Sequence, residues 1–449
     1  MRKSIFIEGS TVGIFGFGET GQSIVEFLMA KNFKLIIFDD NPSNSAQKYA
    51  KSLGLKIHQA TDDIKLAQLI EEIDIFMPTP GLPESHPVFA HVYKMGHQIA
   101  SEFDLAAQYD DRPVIAITGT NGKTTVTMMV KEMLLASGIK VEAVGNTEIP
   151  LVKAISDLSI EKFIVEASSF RLGWSSIFSP EVSVWLNFSP DHLDVHDSLT
   201  SYEIAKASMW SNHESHQVAI GNAEDEVVMK HLPERGVIKT FGWQSGTSQV
   251  IGDSLVIDGQ ELLEINELKR SSPHDVLNAL AAATLSIHSG ATIDAIRNVL
   301  KEFKGLPHRI SFVGRKDEVE WYNDSKSTTP HSVIAAVNGF ENVILIVGGR
   351  NKGLNLGILT CVESKIKRLI AIGEAADEIT GVLGTSMPVS KAESMKDAVI
   401  MSSEFSERGD VILLSPGCTS FDWYQNYVER GEDFEKIVQT LIGGQIGNN

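Results

Sequence analysis

The segment Ile115-Ala-Ile-Thr-Gly-Thr-Asn-Gly-Lys-Thr-Thr125 constrains this chain more than any other. Val114 to Ile117 are apolar and read as a buried strand, Gly119 to Gly122 as a tight turn, and Thr124 onward as a helix start. A glycine-rich turn between strand and helix lets consecutive backbone N–H groups converge on phosphate oxygens, and the helix N-terminus adds partial positive charge. Lys123 then reaches the β- and γ-phosphates, and the Thr124 hydroxyl ligates Mg²⁺. The strict G-x-x-x-x-G-K-[ST] pattern asks for glycine at position 117, where this chain has isoleucine. The expectation is an ATP site built from Gly119, Thr120, Asn121, Gly122, Lys123, Thr124 and Thr125.

At 449 residues the chain is too long for one compact core, and two or three domains are expected. Its formal charge of −19 argues against nucleic acid or an anionic membrane as the main partner, because both require a basic footprint. Small anionic substrates remain compatible, since a few convergent cations dominate within a screened radius of about 10 Å. No apolar run reaches the roughly eighteen residues of a membrane span, and no secretory leader is visible. The two cysteines, Cys361 and Cys418, stand far apart in unlike contexts. A reducing cytoplasm fits that usage, and a monomer without membrane insertion is expected.

Three segments follow from strand–helix alternation. The first opens with Thr11-Val-Gly-Ile-Phe-Gly-Phe-Gly-Glu-Thr-Gly21, in which Gly16, Gly18 and Gly21 fit G-x-G-x-x-G. A helical stretch (Ser23–Lys31) and a second strand (Leu35–Phe38) ending at Asp39 complete a βαβ nucleotide-binding pattern. NAD(H) is the usual occupant of such a fingerprint, but a companion ATP loop argues for a different nucleotide-bearing substrate. The second segment carries the ATP loop. Its later strands, Phe163–Val165 and Val182–Leu186, run into Glu166-Ala-Ser-Ser169 and into Asn187 with Asp191-His-Leu-Asp194. Ligands collect at the carboxyl ends of strands in open α/β sheets, so these groups should gather around the loop. Pro273–Ala283 reads as a helix containing Asn278. The third segment starts near Leu306, with Leu306-Pro-His-Arg309 as a linker. Its strands Trp321-Tyr322, Val343–Val347 and Val411–Leu414 each end in polar loops. The expected fold is α/β in three domains: Rossmann-like (1–102), central P-loop ATPase (103–305) and Rossmann-like again (306–449).

Phosphoryl transfer needs divalent metal and positive charge on the γ-phosphate. Thr124, Glu166 and His192 offer hard and borderline ligands for Mg²⁺. Each also has a plainer reading. His192 would be a loop hydrogen-bonder, Glu166 a helix cap ahead of Ser168-Ser169, and Lys206 a solvated lysine on a helix opening near Ser201. Arg309, Asp324, Lys326 and Lys352 form a second set, in which lysines in strand-end loops offer a cationic cradle for a carboxylate; each reads equally as an exposed loop charge.

Taken together, Thr118-Gly-Thr-Asn-Gly-Lys-Thr-Thr125, Glu166-Ala-Ser-Ser-Phe170, Asp191-His-Leu-Asp194, Leu306-Pro-His-Arg309 and Asn323-Asp-Ser-Lys326 resemble, in order and separation, the motif series of the Mur ligases. Gly16-Phe-Gly-Glu-Thr-Gly21 and Leu414-Ser-Pro-Gly-Cys-Thr-Ser-Phe-Asp422 point to its D-glutamate-adding branch and extend the resemblance over nearly the whole chain. The resemblance implies ATP-dependent ligation of D-glutamate to UDP-N-acetylmuramoyl-L-alanine through an acyl phosphate, in peptidoglycan precursor synthesis. It implies Lys123 on the β/γ-phosphates, Thr124 and Glu166 on one Mg²⁺, His192 on a second, and Lys206 as a carbamylated lysine beside the metals. Asn278 would touch adenine, with Arg309 and Asp324 on the phosphate–ribose end of ATP. Thr20, Thr79 and Gly81 would meet the uridine diphosphate and Asn146 the muramoyl side, with Asp39 and Ser168 also binding the UDP-linked substrate. Thr328, Lys352, Ser420, Phe421 and Tyr427 would line the amino-acid pocket.

Four positions depart from the family pattern: Glu148 and Asp275 stand where glycine and asparagine are usual, Arg171 replaces a common glutamine, and no arginine follows Asp39. A ligase adding another amino acid, or one acting on folate, is the alternative within the family, and the intact N-terminal glycine fingerprint argues against the folate branch. An NAD-dependent oxidoreductase would need an acid–base pair beside the first glycine loop, and no convincing one is present. A non-catalytic nucleotide-binding module is disfavoured by the polar strand ends of the third segment.

Overall fold

The computed structural model describes residues 4–59, 63–147, 149–193, 195–351 and 353–443. Glu148, Asp194 and Lys352, named above, lie outside the described residues. Three sheets carry the fold. The first pairs β1 (Thr11–Phe15), β2 (Lys34–Phe38), β3 (Ile57–His58), β4 (Ile75–Pro78) and β5 (Gln98–Ile99) in the order β3-β2-β1-β4-β5, all parallel. The second holds β6 (Val114–Thr118), β7 (Val141–Gly145), β8 (Lys162–Glu166), β9 (Val182–Trp185), β10 (Val218–Asn222) and β11 (Val237–Phe241). It continues through β12 (Ser248–Ile251), β13 (Ser254–Ile257) and β14 (Gln260–Glu264), in the order β14-β13-β12-β11-β10-β9-β6-β8-β7. The third contains β15 (Ser311–Lys316), β16 (Val319–Asn323), β17 (Val343–Gly348), β18 (Ile366–Ile372), β19 (Val389–Lys391) and β20 (Val411–Gly417), ordered β15-β16-β20-β17-β18-β19. Each sheet is largely parallel and covered by helices, an α/β fold.

The central strands are continuous apolar runs because helices cover both faces. All six residues of β17 and the last four of β6 are buried. Parallel strands need crossovers, and those crossovers bring every loop at a strand's carboxyl end to one edge of its sheet. In the second sheet β6 lies between β8 and β9, so the loop after β6 stands beside the ends of both. This is the switch point at which a doubly wound sheet opens a crevice.

Among the described residues three antiparallel hairpins, β12 with β13, β13 with β14 and β15 with β16, depart from the alternation expected of the sequence. β13 and β14 join through Asp258-Gly259, both at positive φ (50° and 79°), the two-residue turn that matches strand twist. β15 and β16 join through Asp317-Glu318, with φ of 51° and 64°, at some conformational cost because neither is glycine.

The chain forms two compact units, Met1–Ser271 with Asp275–Phe303, and Ser272–His274 with Lys304–Asn449. Within the first, one apolar core is shared by two sheets: Val152 and Ile177 pack among Val12, Ile14, Ile24 and Leu105. Phe89 stacks on Trp174 at 4.7 Å. The fully buried Asp104 carboxylate accepts backbone N–H bonds from Ser176, Ile177 and Phe178 at 2.8–3.0 Å. Gln108 does the same for the N-terminal strand approach, accepting from Ile5 and Phe6 and donating to the Phe6 carbonyl.

Candidate active site

The phosphate loop forms as its glycines require. Ile117, at the position where the strict pattern has glycine, lies inside β6 and is fully buried, and the unusual backbone falls instead at Gly119 (φ 155°) and Gly122 (φ 84°). A Cβ on Gly122 would stand 2.5 Å from Asn278 Oδ1, so only glycine lets Asn278 close on the loop. The helix Lys123–Ala136 then opens without a side-chain cap. Not all loop amides face outward as expected. Thr120 N–H donates to the Asn187 carbonyl (3.1 Å) and Asn121 N–H to Asn187 Oδ1 (2.9 Å), so the end of β9 braces the turn. Lys123 Nζ donates to the carbonyls of Gly119 (2.7 Å) and Thr120 (2.8 Å), within the loop it is expected to serve.

Glu166 ends β8 and is buried. It is not the helix cap of the plainer reading: Ser168 occupies the N-cap of helix Ser169–Leu172, with no side-chain cap bond. Glu166 Oε1 accepts from Asn146 Nδ2 (3.2 Å), while its Oε2 and the Ser168 hydroxyl have no hydrogen-bond partner among the described residues. Buried polar atoms without partners mark strain, function or an absent ligand. Lys206, expected on its own to be a surface lysine, is 1% exposed on helix Leu199–Ala207. Its Nζ donates to the Gly119 carbonyl at 2.9 Å and lies 4.6 Å from the centre of the Tyr202 ring. Burial, then the neighbouring Lys123, holds the Lys206 ammonium well below the usual lysine range.

His192 takes a left-handed backbone (φ 55°) and sets its ring edge-on to Phe170 (4.7 Å) and Tyr202 (5.9 Å). Among the described residues no three histidine, cysteine or acidic side chains cluster as a ready-made metal cage. The expected ligand set is instead one hydroxyl, one carboxylate, one imidazole and Lys206. The sequence reading missed His196. Its ring is buried and bridges Glu84 Oε1 (2.7 Å) and Ser169 Oγ (2.9 Å), while Glu84 Oε2 accepts from the Asp197 amide (3.0 Å).

At the first sheet, a Cβ on Gly16 would lie 2.0 Å from Thr79 Oγ1, and one on Gly21 would lie 2.0 Å from the Gly16 carbonyl. The fingerprint glycines therefore seat Thr79 and the start of helix Glu19–Met29, which carries Thr20, against β1. Asp39 braces this turn, accepting from the Phe17 (2.8 Å) and Asn41 (2.9 Å) amides. Gly81 has φ 97° in the adjoining loop. Asp275, a departure from the family pattern, contacts Arg270 at 3.0 Å.

In the second unit, the expected linker Leu306–Arg309 is locked rather than loose. His308 is buried at φ 61° and takes a bond from Asn323 Nδ2 (2.8 Å), and Ile310 is held at φ 49°, a costly conformation for a β-branched residue. Asp324 is buried; its carboxylate accepts from Ser327 Oγ, Ser415 Oγ (2.8 Å) and the Ile310 amide (3.3 Å). Burial raises it to about 6 against the pull of those donors. Lys326 Nζ sits 3.9 Å over the Tyr427 ring. Ser420 is buried and Phe421 exposed in the loop after β20, while Thr328 and Tyr427 are half-buried. Arg430, equally unforeseen, is buried and ties Ser325 to the Cys418 carbonyl.

Three family models match this chain in order: "Mur ligase MurD-like, N-terminal domain" over residues 10–101, "Mur ligase middle domain" over 117–286, and "Mur ligase, glutamate ligase domain" over 308–418. The chain belongs to the Mur ligase family. It is 34% identical over 446 residues to the UDP-N-acetylmuramoylalanine--D-glutamate ligase of Bdellovibrio bacteriovorus, covering 95% of this chain and 96% of that protein. The protein of the same description from Legionella pneumophila (strain Philadelphia 1) is 33% identical over 448 residues, covering 95% and 98%. Among solved structures, a pseudomurein peptide ligase type C from Methanothermus fervidus aligns with a TM-score of 0.60 at 18% identity over 96% of this chain and 100% of that one. The MurF ligase from Thermotoga maritima in complex with ADP aligns with a TM-score of 0.59 at 16% identity, covering 98% of each. Those two share the fold.

Proposed function

We propose that this chain joins D-glutamate to UDP-N-acetylmuramoyl-L-alanine at the expense of ATP, in peptidoglycan precursor synthesis. The observation that carries the reading is one cluster in the second sheet. A phosphate loop, a buried Glu166 oxygen without a partner and a buried Lys206 whose Nζ reaches the Gly119 carbonyl meet where β6 and β8 end. Full-length similarity to D-glutamate-adding relatives supports the choice of substrates.

A carboxylate is a poor acyl donor, and the chemistry overcomes this in two steps. The substrate carboxylate attacks the γ-phosphorus and ADP leaves, giving an acyl phosphate. The D-glutamate amine, having lost its proton, adds to the acyl carbon, and the tetrahedral intermediate expels phosphate as the C–N bond is retained. Lys123 stabilises the transferring phosphoryl group, and Asn278 faces the base from across Gly122. Thr124, Glu166, His192 and a carbamate formed from the Lys206 amine and CO₂ would hold Mg²⁺, and the unpartnered Glu166 oxygen and the buried position of Lys206 beside the loop fit that role. Bound Mg²⁺ supplies neutralisation of the phosphoryl charge. Thr20, Asp39, Thr79, Gly81, Asn146 and Ser168 hold the UDP-linked acid. Arg309 and Asp324 serve the phosphate–ribose end of ATP, and Thr328, Lys352, Ser420, Phe421 and Tyr427 receive the amino acid. Among the described residues no helix is long and apolar enough to cross a membrane, in keeping with small soluble substrates.

The test is phosphate release from ATP with UDP-N-acetylmuramoyl-L-alanine, offering D-glutamate, L-glutamate or meso-diaminopimelate in turn. Release with D-glutamate alone is expected; preference for another amino acid would place the chain elsewhere in the family. Lys352→Ala should then raise the D-glutamate requirement at least tenfold while ATP saturation stays within twofold, because a carboxylate loses its cationic partner. A shift in ATP saturation instead would move Lys352 to the nucleotide site.

A further inference from the structure

Arg171, a departure from the family pattern, lies between Thr20 and Asn146, two residues proposed to bind the UDP-linked acid. Its side chain is buried, and its Nε lies 2.8 Å from Glu102 Oε1, itself fully buried. The forked end points the other way. Nη2 donates to Thr20 Oγ1 at 3.1 Å and Nη1 to Asn146 Oδ1 at 3.5 Å. Asn146 in turn donates to Glu166. One guanidinium thus touches the first-turn hydroxyl of the helix behind the first glycine loop and an amide from the end of β7, on two different sheets. A planar fork with several donors can hold two acceptors at a fixed separation, whereas one glutamine amide cannot also pair with a buried carboxylate. Glu102 fixes the fork from behind. It is held by the Val152 amide (3.3 Å), and burial raises its pKa against the pull of Arg171.

We infer that Arg171 is a positioning residue for the UDP-linked acid, acting through Thr20 and Asn146. The inference rests on the proposed function for the assignment of those two residues. Arg171 sets the distance between the diphosphate end and the muramoyl end of the site, so its loss weakens the substrate that spans both and leaves ATP untouched. Glu102 is the second member of the device, because it aims the fork.

Arg171→Gln, which installs the residue common in the family, tests this alongside the double variant Arg171→Gln/Glu102→Gln, which removes the stranded buried charge. Binding of UDP-N-acetylmuramoyl-L-alanine is measured by calorimetry without turnover, and KM for that substrate and for ATP by phosphate release, with thermal unfolding in parallel. The expected result is a roughly tenfold weaker binding and higher KM for the UDP-linked acid in both variants, with the ATP KM within twofold of wild type. Arg171→Lys should keep the ion pair and the melting temperature yet still bind the UDP-linked acid less well. Wild-type affinity in the folded double variant, or equal losses for both substrates tracking a lower melting temperature, would overturn the inference and leave Arg171 a structural pin. If the wild-type protein itself does not bind the UDP-linked acid, the proposed function has failed and not the geometry of Arg171.

Discussion

Replacing Lys123 by alanine should abolish phosphate release while the protein stays folded. In the proposed function the lysine serves the loop where negative charge grows on the γ-phosphate, and loss of one donor aimed at such charge costs about 10²–10³ in rate. Its bonds in this structure go to the Gly119 and Thr120 carbonyls, and the Gly119 carbonyl keeps a second donor, Lys206 Nζ, once the side chain is gone. Stability should therefore change little, and circular dichroism with a thermal melt will separate the two effects. Wild-type turnover in a well-folded variant would sink the ATP assignment.

Lys206→Ala should inactivate the protein as thoroughly, for a different reason. A solvated helix lysine can be removed within about ±0.5 kcal/mol of stability and with no effect on turnover. Lys206 is buried, burial lowers its pKa and its amine reaches the Gly119 carbonyl. If the amine carries an added CO₂, what the site loses on truncation is a negative oxygen pair directed at Mg²⁺. A short-chain carboxylic acid fits the space left by the side chain and replaces that charge, so acetate or formate should partly restore phosphate release. Lys206→Met, which keeps the apolar volume, should be folded, inactive and not restored, because no space opens for the acid. Full activity in Lys206→Ala without added carboxylate would show the lysine to be a structural filler only.

What was legible in the sequence was local. The phosphate loop, the fingerprint glycines and the polar ends of β8, β9, β16, β17 and β20 are each written in fewer than about a dozen consecutive residues, and strand–loop–helix physics acts on that scale. The hairpin through Asp258-Gly259 was equally local and was passed over although Asp-Gly is a strong turn signal. The burial of Lys206 was not legible, because a lysine inside a helix carries no mark of what packs over it. Nor were the long-range polar bridges. His196 finds Glu84 across 112 positions and Arg171 finds Thr20 across 151, and no periodicity connects residues so distant. The locked geometry of His308 was hidden for the same reason, since its partner Asn323 sits on another element.

The bridges between the first two sheets bear on modularity. A cut after residue 102 would sever Arg171 from Glu102 and Thr20, His196 from Glu84, and Gln108 from the Ile5 and Phe6 amides, and would split an apolar core shared across the boundary. Each severed bond strands a buried donor or acceptor at about 1–3 kcal/mol, more where charge is involved. The first hundred residues are therefore a poor cassette. A piece of a relative grafted in place of the first hundred residues would need carboxylates at the positions of Glu102 and Glu84 to meet Arg171 and His196, and a hybrid without them should be destabilised. Recombination between related ligases would for the same reason be tolerated far better near residue 304, where the chain passes from one compact unit to the other, than near residue 102.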